Sequence, residues 1–366
     1  MIPSLETIDW RGFLSRPQLP SPSPQALESL CRTPILITGA GGSIGTTLAI
    51  RLAAKANQLI LLDSSESNLF SLQRELDDRA TTANATFILG SISDFALLDE
   101  IFPVHGPCLV FHAAAFKHVP LIEEQPLAAI ANNIFGTETL LAAAATHGAR
   151  VVLLSTDKAV KPASVMGATK RVTELIALAS DGIVLRLGNV LASRDSVAEV
   201  FASQIAAGGP LTVTDPAARR FFLTLEEAAN LLLSAAAQSD TPALLVPELP
   251  APQFIADLAR FMARNLAPNR NIPIEFTRPR PGDKESEQLW SSSEVVRPTQ
   301  AGGLLFIASP SPPIDELHRA LETLRAAVGA RDISAALASL RTLVPEFTPS
   351  NTANAHCKAN LKVTHE

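Results

Sequence analysis

A strand that runs into three glycines at three-residue spacing and continues as a helix admits few architectures, and residues 35–45, ILITGAGGSIG, have that form. Gly39, Gly42 and Gly45 let the backbone turn tightly and come close to a pyrophosphate, whose charge is met by the open N–H groups of the helix start. The same rhythm continues along the chain. ILIT, LILLD, TFIL, LVFHA, VVLLST and IVLRL alternate with helical periods over 44–55, 67–79, near 94–102, an alanine-rich stretch to about His147, and 167–180. Six strands with crossover helices predict an α/β fold with a Rossmann-type doubly wound parallel sheet.

After Asn189 the pattern loosens into helices over 196–207, 225–237 and 252–265 and the short strands LTVT, ALLVP and IEFT, which predicts a smaller C-terminal lobe. The expected organisation is a surface arm over 1–33 ending in one helical turn and a dinucleotide-binding domain over 34–190. A substrate lobe with elements returning to the sheet follows over 191–310, then helices over 311–349 and a frayed polar tail over 350–366.

Composition narrows the partners. The 366 residues are 47% hydrophobic and 18% charged, which excludes wholesale disorder, and a net charge of -6 gives no general attraction to nucleic acid or an acidic membrane. Cys31, Cys108 and Cys357 are far apart and form no CxxC pair, so no disulfide framework or metal site is expected, in keeping with a reducing cytoplasm. The N-terminal MIPSLETIDWRGF lacks the basic and apolar runs of an export signal, and no apolar stretch is expected to reach the length of a membrane span.

The chemistry is expected at strand ends. Asp63 closes the second strand, where an acid accepts the ribose hydroxyls of NAD and repels the 2′-phosphate of NADP. At the end of VVLLST, Asp157 and Lys158 put an acid beside a base at the sheet edge where open α/β proteins bind ligands. Met166 and Lys170 lie four apart at the start of the next helix and share one face. A dehydrogenase of this layout ordinarily has tyrosine at the first of those positions; the chain contains no tyrosine at all, and methionine carries no proton. Lys170 retains the role of binding the nicotinamide ribose.

The runs TGAGGSIG, FHAAAFKHVPLIEEQP, NNIFGTETL, STDKAVKPASVMGATKR, LRLGNVLASRDSV, QIAAGGPLTVTDP, RRFFLT and RPGDK, in this order, resemble the UDP-N-acetylglucosamine 4,6-dehydratases, extended short-chain dehydrogenases of polysaccharide biosynthesis. The resemblance extends from about Phe13 to the VPEF near 344–347, and with Met166 it is to the subgroup having methionine for tyrosine. It implies a retained NAD, removal of hydride from sugar carbon 4 and its return to carbon 6 after loss of water. By resemblance Asp157 protonates the leaving 6-hydroxyl, Lys158 takes the proton from carbon 5, and Thr156 bonds a sugar hydroxyl. The subgroup is associated with retention at carbon 5. Besides the glycines, Lys170 and Asp63, the resemblance assigns Ser43, Ile44, Ser91, Ile92, Ala113, Ala114 and Ala115 to the cofactor, with His112 a structural residue. It assigns Asn189, Arg194, Thr212, Arg220 and Arg280 to a UDP-N-acetylhexosamine, has Lys117 and Asn133 either face that sugar or order the active-site loops, and implies self-association. Many members carry N-terminal membrane helices ahead of such an arm; this chain resembles their soluble catalytic part.

Some positions depart from the family pattern. Asp283, Glu285 and Ser286 stand where Glu, Leu and Tyr are usual, Asp215 stands for His, and Asp195 stands for a glycine, which puts that loop's backbone in question. Two other readings stay open at this point: a UDP-sugar 4-epimerase, and a non-catalytic protein that binds NAD and a nucleotide sugar.

Overall fold

A computed structural model describes residue 5 and residues 8–81, 84–238 and 241–353. Nine strands form its main sheet: β1 Ile35–Thr38, β2 Leu59–Asp63, β3 Ala85–Leu89, β4 Leu109–His112, β5 Arg150–Thr156, β6 Ile183–Leu187, β7 Ala243–Pro247, β8 Val295–Pro298 and β9 Leu304–Ala308. Their order is β8-β9-β7-β6-β5-β4-β1-β2-β3. Pairing is parallel from β3 through β7, and β9 is antiparallel to both β7 and β8. The order reverses between β1 and β4, and ligands of such sheets bind in the crevice at that reversal.

Strand residues alternate between two cores. Leu36, Ile60, Val110 and Leu153 face one layer of helices, and Ile35, Leu61, Phe111 and Val152 the other. With both faces covered, the strands read as continuous apolar runs, which is why the six expected strands are all present. ALLVP, which follows the first elements of the small lobe, is among the elements of 191–310 that return to the sheet as expected, and it does so as β7 because β6 offers it a parallel edge at Ile183–Leu185. LTVT and IEFT do pair with each other in that lobe, over 211–213 and 274–276.

The N-terminal arm differs from expectation. Ile8, Phe13 and Leu14 enter the core of the small lobe beside Phe201, Leu258 and Met262. The single expected turn is an eight-residue helix, Pro24–Cys31, with the Ser23 hydroxyl accepting from the Ala26 amide and proline in the first turn, where its missing N–H costs nothing. Arg16 ties the arm down through Glu227, at 2.6 and 2.9 Å.

Among the described residues one helix, Pro126–Thr146, is long and apolar enough to cross a membrane by length and composition, which corrects the expectation that no stretch reaches that length. Its apolar window is 61% buried within the fold. A π-helical turn over Ile130–Phe135 interrupts it. The tail expected to fray packs at its start: Ser350 Oγ donates to Glu123, accepts from the Ala353 amide, and Ala353 is buried. The rest of that expectation, residues 354–366 with Cys357, lies outside the described residues.

Below the site, Glu174 on the helix Val165–Ala179 accepts from Ser155 Oγ at 2.6 Å and from Arg186 Nε and Nη2 at 2.8 and 2.9 Å. Arg186 continues to Glu294. This buried network ties Ser155, the residue before Thr156, to the helix packed on the sheet.

Candidate active site

A cavity of about 720 Å³ opens at the C-terminal ends of the parallel strands. The glycine loop forms one wall. Gly42 N–H donates to Gly39 O at 3.0 Å, closing a turn that leads into the helix Ser43–Ala53, whose start has no side-chain cap. Gly39 has φ +68°, and a Cβ there would lie 2.7 Å from the Ala114 amide nitrogen; one on Gly45 would lie 2.2 Å from Gly39 O. Only glycine fits either position. Asp63 accepts from Gly41 N–H through Oδ2 and from Ser65 N–H through Oδ1, both at 2.8 Å, so its carboxylate is aimed across the loop. All twelve residues assigned above to the cofactor line this cavity. Bare glycine backbone, an open helix start and a fixed carboxylate fit a dinucleotide with free ribose hydroxyls.

His112 is structural: Thr38 Oγ1 lies 2.7 Å from its Nδ1 and Thr137 Oγ1 2.8 Å from its Nε2. Burial first, then the nearby Lys170, pulls its pKa to about 3, so the ring is neutral.

Thr156, Lys158, Met166 and Lys170 face the cavity. Asp157, fully buried, does not line it. Its Oδ1 accepts from Thr156 Oγ1 and Lys158 Nζ, each at 3.0 Å, while Oδ2 has no hydrogen-bond partner among the described residues. Burial raises the Asp157 pKa against the opposing pull of Lys158. For Lys158 burial acts downward but is outweighed by Asp157 and Glu287, so its pKa is raised. Lys170, buried with Nζ free of hydrogen bonds among the described residues, has its pKa lowered to about 8 by burial, against the pull of Glu174.

The residues assigned to the sugar nucleotide are brought together only in part. Lys117 lines the main cavity, and Asn189 lines a neighbouring one of about 230 Å³ while its Oδ1 accepts from Lys158 Nζ at 3.0 Å. Asn133 does not line the cavity; its neighbour Asn132 does. The Asn133 amide is used up in ordering the loop, accepting from Phe116 N–H and donating to Phe116 O and Thr169 Oγ1. Thr212 is engaged with Gln204 in the small lobe. Arg220 is buried and donates to the carbonyls of Arg219 and Glu285, Arg280 is exposed, and neither lines a cavity described here. Arg194 lies on the glycine loop, donating to Gly41 O at 2.6 Å, beside Ser193 of the cavity wall but not itself among the lining residues.

Two residues were missed in the sequence. Glu287 is buried with Oε1 4.0 Å from Lys158 Nζ, and Lys284 pairs with its Oε2 at 2.7 Å while donating to Val160 O. The opposite charges of RPGDKESE could suggest a local pair, but nothing in the sequence points from Glu287 to Lys158. Of the departures from the family pattern, Asp215, Asp283, Glu285 and Ser286 do not line the main cavity, while Asp195 lines the neighbouring one and does occupy the left-handed region, at φ +57°.

The fold and this site define an α/β protein with a doubly wound sheet and a cavity suited to a dinucleotide at its strand ends. The chain belongs to the family of polysaccharide biosynthesis proteins, whose model matches residues 35–309. It is 40% identical over 273 residues to the probable polysaccharide biosynthesis protein EpsC of Bacillus subtilis, a match covering 71% of this chain and 45% of that protein, so the chain spans about half that relative's length. A UDP-glucose 4-epimerase of Rickettsia canadensis is 36% identical over 282 residues, covering 73% of this chain and 80% of that protein. Among solved structures, Pen from Bacillus thuringiensis superposes with a TM-score of 0.71 at 29% identity, covering 77% of this chain and 90% of that one. DesIV of Streptomyces venezuelae, a dTDP-glucose 4,6-dehydratase solved with NAD bound, shares the fold with a TM-score of 0.60 at 21% identity, covering 70% and 87%.

Proposed function

We propose that this chain is an NAD-dependent 4,6-dehydratase acting on a UDP-N-acetylhexosamine, with UDP-N-acetylglucosamine as substrate. The observation that carries the reading is the Asp157–Lys158 couple at the end of β5, with Lys158 facing the cavity and Asp157 sealed behind it. Oxidation at carbon 4 acidifies the proton on carbon 5, and loss of the 6-hydroxyl then needs a base and an acid together. When bound, NAD supplies the hydride acceptor at carbon 4 and the hydride returned to carbon 6.

The couple can supply both partners at once. Shifting one proton across the 3.0 Å from Lys158 Nζ to Asp157 Oδ1 leaves a neutral amine and a neutral carboxyl, a form that burial of Asp157 favours. Lys158 then takes the carbon 5 proton. The carboxyl proton of Asp157 reaches the leaving 6-oxygen through Thr156 Oγ1, 3.0 Å from Oδ1 and itself on the cavity wall, and water departs. The couple is returned to its charged form. Met166 cannot take the 4-hydroxyl proton; Lys170, on the same wall with an unpartnered Nζ, is the group we assign to it.

The Rickettsia relative supports a second reading, 4-epimerisation, which needs oxidation and hydride return but no elimination. It leaves the Asp157–Lys158 couple without work. Incubation with UDP-N-acetylglucosamine separates the two, because dehydration removes the mass of one water and epimerisation leaves the mass unchanged.

A further inference from the structure

The chain between β6 and the helix Val197–Ala207 crosses the rim of the cofactor cavity. It leaves the sheet beside Phe222–Leu223, with Leu191 N–H donating to Leu223 O at 2.7 Å, and then turns sharply. Ala192 and Asp195 both adopt left-handed backbone, at φ +57°, and these two bends throw Arg194 back over the glycine loop. A left-handed residue with a side chain is costly except where its surroundings enforce it. Asp195 is held by its own amide, which donates to Glu199 Oε2 at 2.7 Å.

Arg194 then makes four contacts to residues far away in sequence. Its amide donates to Ser43 Oγ at 2.9 Å, and Nη1 donates to Gly41 O at 2.6 Å and Asn68 Oδ1 at 2.9 Å. Its carbonyl accepts from Lys117 Nζ at 2.6 Å. Ser43, Asn68 and Lys117 all line the cavity, as does the adjacent Ser193, so this single residue joins both sides of the opening. Nε and Nη2 have no hydrogen-bond partner among the described residues, which leaves guanidinium N–H groups beside the loop whose shape suits a diphosphate.

We infer that residues 192–196 are a latch that closes over the ribose–diphosphate part of a bound dinucleotide, with Arg194 as its bolt. The latch converts a diffusing cofactor into a retained one, as a reaction that returns its own hydride requires. A dinucleotide leaves only after the bonds to Ser43, Gly41, Asn68 and Lys117 are released together. The inference rests on the NAD reading above but not on the fate of the sugar.

The test is exchange of bound cofactor. The purified chain is loaded with NAD, challenged with excess isotopically labelled NAD, and the bound nucleotide is followed by mass spectrometry, with melting temperature recorded for each variant. Arg194→Ala is expected to exchange at least about tenfold faster than wild type, the size of effect that losing one or two charge-assisted hydrogen bonds produces. Asn68→Ala, which removes one acceptor and leaves the arginine, is expected to accelerate exchange less. Exchange in folded Arg194→Ala at the wild-type rate overturns the latch. If that variant does not fold, an unchanged rate in Asn68→Ala overturns it. Wild type that takes up no NAD overturns the cofactor reading and the latch together, whereas retained NAD without water loss from a sugar leaves the latch standing.

Discussion

Glu287 Oε1 lies 4.0 Å from Lys158 Nζ, so the proposed base has a second carboxylate beyond Asp157 in its field. Glu287 raises the pKa of both partners of the couple, and Lys284, paired with it at 2.7 Å, fixes its distance. It acts on the chemistry through Lys158 and is a positioning residue. Glu287→Gln removes that charge without removing volume, and the pH–rate profile for product formation is expected to move to lower pH as the couple's titrations fall together. A profile of changed height but unchanged position would contradict this.

Lys158→Ala is expected to abolish water loss, by about 10²-fold or more, while NAD remains bound. Asp157→Asn keeps the shape and cannot hold the transferred proton, so it is expected to slow elimination to a similar degree. Steady-state rates of keto-sugar formation together with nucleotide content measure both. Wild-type turnover in either variant removes that residue from the mechanism.

Lys170 is assigned the 4-hydroxyl proton, which it can accept only when neutral. With its pKa lowered to about 8, the neutral fraction falls as pH drops below that value, so the oxidation step is expected to slow towards neutral pH. Lys170→Arg carries a cation that does not deprotonate and is expected to lose about 10²-fold in single-turnover reduction of bound NAD. Persistence of the wild-type pH dependence in that variant would assign the limb elsewhere.

Stability has its own titration. Burial raises the Glu174 pKa, but Arg186, Arg171 and Ser155 more than reverse this and hold it at about 2, below the ordinary 4.5. Its contribution is therefore complete above about pH 4.5 and is lost as pH falls towards 2. Glu174→Ala leaves Arg186 without its central partner and is expected to cost about 3–5 kcal/mol by denaturant unfolding, with a weaker dependence on acid pH. A loss below 1 kcal/mol would show that the network is not strained by the missing charge.

How much of this was legible in sequence differs by residue. Gly39 and Gly45 were readable because a local backbone requirement leaves no alternative, and Asp63 because strand length sets where its side chain emerges. Lys158 and Lys170 were readable for the same local reason. That elements of 191–310 return to the sheet was readable, but not that ALLVP is among them, because an apolar strand of that length suits either place and only the free edge of β6 decides. For Asn133 the sequence leaves two roles open, facing the sugar or ordering the loop, and only its bonds to Phe116, made across the fold, select the second. Arg194 and Glu287 depend on meetings across more than a hundred residues, with Gly41 and Lys158 respectively, and no periodicity records such a pairing. The arm was read as surface because its prolines and serines conceal Phe13 and Leu14, which the small lobe needs for its core.

The most direct test of the account is mass spectrometry of the purified chain incubated with UDP-N-acetylglucosamine. The account predicts a nucleotide sugar lighter by one water, formed by wild type and not by Lys158→Ala. A wild-type product of unchanged mass but altered configuration at carbon 4 would contradict it and identify an epimerase instead.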